Sequence, residues 1–282
     1  MPYSDPGLIV STEWLAEHLG APDVRIVDAS WYLPQMERDA AAEYRAEHIP
    51  GTVFFDIDEI CDLESDVPHQ LPRPEKFASR VRKMGIGDGN RVIIYDGAGL
   101  LSAARVWWMF RAMGHEDVAV LDGGLPKWKS EDRQLSDMPP IPRERHFTAR
   151  LNNLIVRDLG QMLRNTEARR EQVVDARMAG RFTGAEPEPR AGMRGGHIPG
   201  AINIPFTALL EEDKTMKPQN ELQKIFEEAG VDANMPTVTS CGSGITAAVI
   251  YLGLAIAGHR HVALYDGSWS EWGSRDDTPV EQ

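Results

Sequence analysis

Of 282 residues only two are cysteine, and one of them stands where a thiol can do chemistry. Cys241 opens the run Cys241-Gly242-Ser243-Gly244-Ile245-Thr246, with a strand-like stretch at 236–240 before it and an apolar stretch at 247–257 after it. A strand, a loop of small residues and a helix together turn successive backbone N–H groups inward, with the positive end of the helix close behind. Surroundings of that kind lower a thiol's pKa, make the thiolate nucleophilic and hold whatever anionic group the sulfur acquires. The sequence therefore points to covalent sulfur chemistry at Cys241. Cys61 has no comparable loop around it and is read as incidental.

Such a loop needs a scaffold. Residues 24–28, Val-Arg-Ile-Val-Asp, are rich in β-branched types and end in an acidic turn, which predicts a strand. Residues 52–56, 91–95 and 117–121 predict three more, the first of them entered through the tight turn His48-Ile49-Pro50-Gly51. Ser11-Thr12-Glu13 marks a helix start, and 77–84 and the apolar run 100–113 predict further helices. The stretch 63–74 holds Pro68, Pro72 and Pro74 and predicts a surface loop. Strands alternating with helices predict an α/β fold, its mainly parallel sheets flanked by helices.

The same order then repeats. Val174-Asp175-Ala176 echoes Val27-Asp28-Ala29, and His197-Ile198-Pro199-Gly200 echoes His48-Ile49-Pro50-Gly51. Ala263-Leu264-Tyr265-Asp266-Gly267 echoes Ala119-Val120-Leu121-Asp122-Gly123. Each copy is as long as a whole domain, which predicts tandem domains at 1–129 and 148–282 joined by a proline-rich connector at 130–147. Tyr95-Asp96-Gly97-Ala98-Gly99 falls on Ser240-Cys241-Gly242-Ser243-Gly244, so the first copy has an aspartate where the second has the thiol. The first domain is thus without a nucleophile and is expected to form one wall of a cleft between the domains. His48 and His197 are read as turn caps, Trp107 and Trp108 as core, and Asp96-Gly97-Ala98-Gly99 not as a nucleotide site.

Composition narrows the partners. With 42% apolar and 26% charged residues the chain reads as a soluble globular protein. A formal charge of −13 argues against nucleic acid or an anionic membrane surface as a partner, and it requires any anionic substrate to meet a local cluster of arginines. No apolar run is long enough to span a bilayer, and no signal peptide is visible at the start. Neither CxxC nor a Cys/His metal spacing occurs, so no metal or organic cofactor is called for and a cytoplasmic location is expected.

These motifs resemble the two-domain rhodanese-like sulfurtransferases, and among them the users of 3-mercaptopyruvate. The likeness rests on the paired His-Ile-Pro-Gly turns, Asp122-Gly123-Gly124, the run from Arg105 to Phe110, and Gly180-Arg181-Phe182 leading to Glu186-Pro187-Glu188-Pro189-Arg190. In that family Cys-Gly-Ser-Gly-(Val/Ile)-Thr marks mercaptopyruvate users, whereas thiosulfate users carry two basic residues where Gly242 and Ser243 stand here. Phosphatases of the same fold have a longer loop ending in arginine, but Ala247 and Ala248 follow Thr246 here.

The resemblance implies that the Cys241 thiolate takes sulfur from 3-mercaptopyruvate as a persulfide, releases pyruvate, and passes the sulfur to cyanide or to a thiol acceptor such as thioredoxin or a small thiol. The loop positions Gly242, Gly244, Ile245 and Thr246 would hold the anion, an electrostatic role like that of an oxyanion hole. The resemblance further implies a proton relay of Ser243 with His69 and Asp58 of the first domain. It matches Arg181 and Arg190 to the family's substrate-binding arginines, whose forked guanidinium groups grip a carboxylate at two points. Arg105 is a further candidate for the cleft wall, and Leu101 stands where some relatives carry an aromatic residue. The rival readings are a thiosulfate sulfurtransferase and a non-catalytic persulfide carrier. For the arginines the competing role is surface pairing with Glu186 or Glu188.

Overall fold

The computed structural model describes residues 7–282. The first half contains β1 (Ile9–Val10), α1 (Thr12–His18), β2 (Val24–Asp28), α2 (Ala40–Ala46), β3 (Thr52–Phe54), α3 (Pro74–Lys83), β4 (Arg91–Tyr95), α4 (Ala103–Ala112), β5 (Val118–Leu121) and α5 (Gly124–Ser130). The second contains β6 (Val156–Arg157), α6 (Leu159–Ala168), β7 (Gln172–Asp175), α7 (Ala179–Phe182), β8 (Ile202–Asn203), α8 (Gln219–Glu228), β9 (Thr237–Ser240), α9 (Ala247–Ala257), β10 (Val262–Tyr265) and α10 (Ser268–Trp272). All strand pairs within the two sheets are parallel, in the orders β1-β5-β4-β2-β3 and β6-β10-β9-β7-β8. The second order repeats the first strand for strand, as the sequence echoes predict.

Local chemistry accounts for the boundaries. Ser11 caps α1 by accepting the Trp14 amide, and α3 begins on Pro74, a residue suited to the first helical turn because it has no N–H to leave unpaired. That start is three residues earlier than the apolar pattern at 77–84 predicts. Conversely α4 starts at Ala103, not Leu100, and the Asp96 carboxylate takes the amides of Leu101, Ser102 and Ala103 at its entrance, groups that have no partner within a helix. The expected loop at 63–74 has no helix or strand up to Arg73, with Pro74 already in α3, and it is not wholly a surface loop: His69 is only 5% exposed. Phe147, expected in the connector, is fully buried and packs on Phe77 and Phe110 of the first half.

In both halves the chain crosses from one side of the sheet to the other between the first and third long strands, β2 and β4 or β7 and β9. The crevice at the carboxyl ends of such strands is where open α/β sheets bind ligands. Asp175 pairs in register with Ser240, so the turn after β7 and the loop after β9 face each other there. Ten of the eleven residues of α9 are buried, and nine of the ten of α4. A helix apolar all round has to be covered on every side. Here α4 and α9 cover each other, with Trp107 and Tyr251 edge to face at 5.7 Å, and one hydrophobic cluster runs through both halves.

Candidate active site

The loop after β9 is tied from outside. Its Cys241 N–H donates to Ser268 Oγ at 3.3 Å, and the Cys241 carbonyl accepts the Trp269 amide at 2.9 Å. The Gly242 carbonyl accepts both the amide (2.8 Å) and the hydroxyl (2.6 Å) of Ser270. The carbonyls are thereby turned toward α10. The amides from Gly242 to Ala247 find no acceptor among the described residues. Gly244 adopts φ +78°, which a side chain would strain. Cys241 is 2% exposed and unpaired.

The first half shows what such a loop accepts. Asp96, at the position of Cys241, takes the amides of Ala98 and Gly99 on one oxygen and those of Leu101, Ser102 and Ala103 on the other, all at 2.8–2.9 Å. The cradle there is filled by the protein's own carboxylate. Five aligned donors at one anion make it a nest in the electrostatic sense.

Three polar side chains converge on the loop from across the cleft. His69 Nδ1 lies 3.0 Å from Ser243 Oγ, and His69 Nε2 lies 3.1 Å from Asp58 Oδ1. Trp31 Nε1 donates to both Asp58 oxygens at 3.1 Å, and its ring meets the His69 imidazole edge to face at 4.8 Å. The hydrogen bond from His69 is the main cause that holds the Asp58 carboxyl below its ordinary range. With Nε2–H given to a carboxylate, a neutral imidazole presents Nδ1 as the acceptor of the Ser243 hydroxyl proton. The order carboxylate, imidazole, hydroxyl is that of a hydrolase triad, but the hydroxyl belongs to the residue two beyond Cys241.

Arg181 lies against the loop: a Cβ on Gly242 would come within 2.9 Å of its Nη2. Its Nε donates to Glu188 Oε2 at 3.1 Å and its Nη2 donates to the same oxygen. Glu188 is shared with Arg177, whose Nη1 donates to it at 2.7 Å. Arg177 in turn is fully buried, pairs with Asp175 at 2.7 Å and lies over the Trp269 ring. The pairing of Arg181 with a glutamate is thus present, but at a carboxylate only 1% exposed and not at the surface. Arg190 donates to Ser270 Oγ at 3.4 Å. Burial holds its guanidinium pKa below the ordinary arginine value; the neighbouring Arg181 cation acts the same way, and Cys241, Asp58 and Glu188 oppose it.

Between the halves lies a cavity of about 310 Å3. Arg181, Arg190, Gly242, Ile245 and Thr246 line one side, and Trp31, Leu33 and Leu101 of the first half line the other. Hydrogen bonds and the loop bring Cys241, Ser243, His69 and Asp58 together, with Arg181 and Arg190 beside them. Of these six only Arg181 and Arg190 line the cavity; Cys241, Ser243, His69 and Asp58 do not, and neither do Gly244 and Arg105. Arg105, expected in the cleft wall, is fully buried because it shares an apolar helix with Trp107 and Trp108, and it pairs with Asp266 at 2.7 Å. Residues that the sequence reading did not assign to the site include Trp31, Ser270 and Asp266. Of these only Asp266 carried a signal, as part of the repeated Asp-Gly ending.

Residues 11–131 and 157–275 each match the Rhodanese-like domain. The chain belongs to the rhodanese-like family, as a tandem of two such domains. Among individual proteins it is similar to the 3-mercaptopyruvate sulfurtransferase of Homo sapiens, 46% identical over 94% of this chain and 91% of that one. It is likewise similar to the 3-mercaptopyruvate sulfurtransferase of Escherichia coli strain K12, 45% identical over 96% of this chain and 97% of that one. The thiosulfate sulfurtransferase of Rattus norvegicus is 42% identical over 97% and 95% of the two chains. The crystal structure of the mercaptopyruvate enzyme SseA from Escherichia coli superposes with a TM-score of 0.85 at 43% identity, covering 93% of this chain and 99% of that one.

Proposed function

We propose that the chain is a 3-mercaptopyruvate sulfurtransferase working through a persulfide on Cys241. The observation that carries the reading is the placement of two arginines and a Ser243–His69–Asp58 line on either side of one cysteine loop. Arg181 and Arg190 grip the substrate's carboxylate and ketone, which sets its sulfur against Cys241. The Cys241 thiolate attacks that sulfur and the carbon–sulfur bond breaks. The electron pair goes to carbon, giving the enolate of pyruvate, which takes up a proton. Ser243, backed by His69 and Asp58, handles the proton at the substrate. The loop amides then hold the persulfide, as their counterparts in the first domain hold the Asp96 carboxylate. In the second half-reaction an acceptor thiolate or cyanide attacks the outer sulfur, the sulfur–sulfur bond breaks, and the Cys241 thiolate returns.

A thiol acceptor, whether thioredoxin or a small thiol, suits a reducing compartment, as do two unpaired cysteines. We place the protein in the cytoplasm on that ground; among the described residues no helix is long and apolar enough to cross a membrane. The working units are taken as 1–129 and 148–282 with 130–147 between them. Gly242 and Ser243 favour mercaptopyruvate over thiosulfate, since neither brings a cation to the dianion. Exposure to mercaptopyruvate followed by intact mass measurement is expected to show one added sulfur, absent in Cys241→Ser. A Cys241→Ser protein that still released pyruvate at the native rate would defeat the reading. Arg181→Ala and Arg190→Ala are each expected to lower kcat/KM by 10-fold or more, about 1.4 kcal/mol or above.

A further inference from the structure

We infer that Arg105 and Asp266 are positioning residues, an interdomain ion pair that grips the His69 turn from both ends and aims its imidazole at Ser243. This rests on the relay proposed above and assigns what holds it. His69 stands at φ +64°, a left-handed conformation that a non-glycine residue keeps only when its surroundings impose it. The imposing contacts are specific. Arg105 Nη2 donates to the His69 carbonyl at 2.5 Å, and Asp266 Oδ2 accepts the amide of Leu71, two residues on, at 2.8 Å. Arg105 and Asp266 are bonded to each other through the same Nη2 and Oδ1 at 2.7 Å. One end of the turn is therefore fixed to a side chain of α4, the other to the residue that follows β10, and the two anchors are locked together. The guanidinium is fully buried and lies over the Trp108 ring at 4.6 Å, so it has no freedom to follow a shifting loop. It also backs onto the cysteine loop: a Cβ on Gly244 would meet Nη1 at 2.8 Å.

The repeat supplies an independent argument. On the other side of the molecule Asp122, the counterpart of Asp266, accepts the amide of Met216 at 2.7 Å. Two residues before Met216 stands Lys214, also left-handed at φ +70° and packed on Gly99, the counterpart of Gly244. The two turns thus cross between domains in the same way. What differs is the turn residue and its support. Where the turn carries histidine, the helix behind the partner aspartate carries Arg105; where it carries Lys214, aligning α9 on α4 from their first residues puts the aliphatic Val249 at that position. The arginine occurs on the side that has a relay to hold.

A double-mutant cycle tests this, with pyruvate release from mercaptopyruvate followed using cyanide as acceptor. Asp266→Asn and Arg105→Lys are each made alone and on a His69→Ala background. Each single substitution is expected to lower kcat/KM by roughly 10-fold when His69 is present and by less than about twofold when it is absent, because a group acting only through His69 has nothing left to act through. The fall is expected in kcat more than in KM, since the arginines that hold the substrate are untouched. Equal losses in both backgrounds, or no loss with His69 present, would overturn the assignment. A His69→Ala protein of native activity would remove the relay itself, and this inference with it. Arg105→Lys keeps the buried charge and carries the cycle should Asp266→Asn not fold.

Discussion

The repeat puts Asp28 and Asp175 in equivalent places at the ends of β2 and β7, yet their surroundings differ in sign. Asp175 meets the buried Arg177, whereas Asp28 meets no cation among the described residues: it accepts the amide and hydroxyl of Ser30 on one oxygen and is hydrogen-bonded to the Tyr95 side chain. Burial pushes the Asp28 carboxyl up to about 6. It binds its proton more tightly folded than unfolded, so its support for the fold is complete below about pH 4 and is lost as pH rises through about 6, a shortfall of about 3 kcal/mol. Asp28→Asn, which keeps an acceptor for Ser30, is expected to raise the melting temperature at neutral pH and to match wild type near pH 4. Asp175→Asn should act oppositely at neutral pH, lowering stability by about 3 kcal/mol, because Arg177 loses a partner while fully buried. Unfolding followed across pH separates the two. At this scale the sequence singled out Cys241, Ser243, His69, Asp58, Arg181 and Arg190, and the fold sets them around one loop. The sequence misplaced Arg105 and Glu188 because charge in a motif reads as exposed, and only packing shows that both point inward.

At the scale of elements, the two strand–loop–helix units make one device with two contents. Asp96→Ala would leave five amides without their acceptor, and a loss of about 3 kcal/mol or more is expected on denaturant unfolding. A neutral outcome would mean that water serves those amides as well as the carboxylate does. In the second unit Gly244→Ala combines a left-handed φ with a Cβ 3.2 Å from the Asp266 carbonyl and closer still to Arg105. It is expected to lower kcat/KM by more than 10-fold, checked in the mercaptopyruvate assay against an unchanged Gly89→Ala control in the exposed turn before β4, where φ is not left-handed and a Cβ meets nothing within 4 Å. The longer strands were legible from β-branched runs, to within a residue or two, but the two-residue β1, β6 and β8 were not, being too short to show a pattern. The start of α4 was not legible either, because the apolar run continues through the loop that wraps the Asp96 carboxylate.

For the molecule as a whole, the pairing of α4 with α9 settles how the domains behave together. One hydrophobic cluster spans both, and α4 and α9 pack against each other within it. Heating is therefore expected to give a single calorimetric transition. Two resolved peaks would show that the domains melt independently across this shared core. The sequence disclosed that there were two domains and that one lacked the thiol, since repeats and missing residue types survive in a string of letters. It did not disclose which faces met, because an entirely apolar helix is compatible with any neighbour. The crossed turns carry one more implication. Two halves that each reach into the other, Leu71 to Asp266 and Met216 to Asp122, have the geometry of an isologous dimer. In a true homodimer a change to one turn is forced on its twin, so both would have to keep histidine or both lysine. Covalent fusion lifts that symmetry constraint, and a lone reaction centre with a dedicated helper half is what that freedom permits.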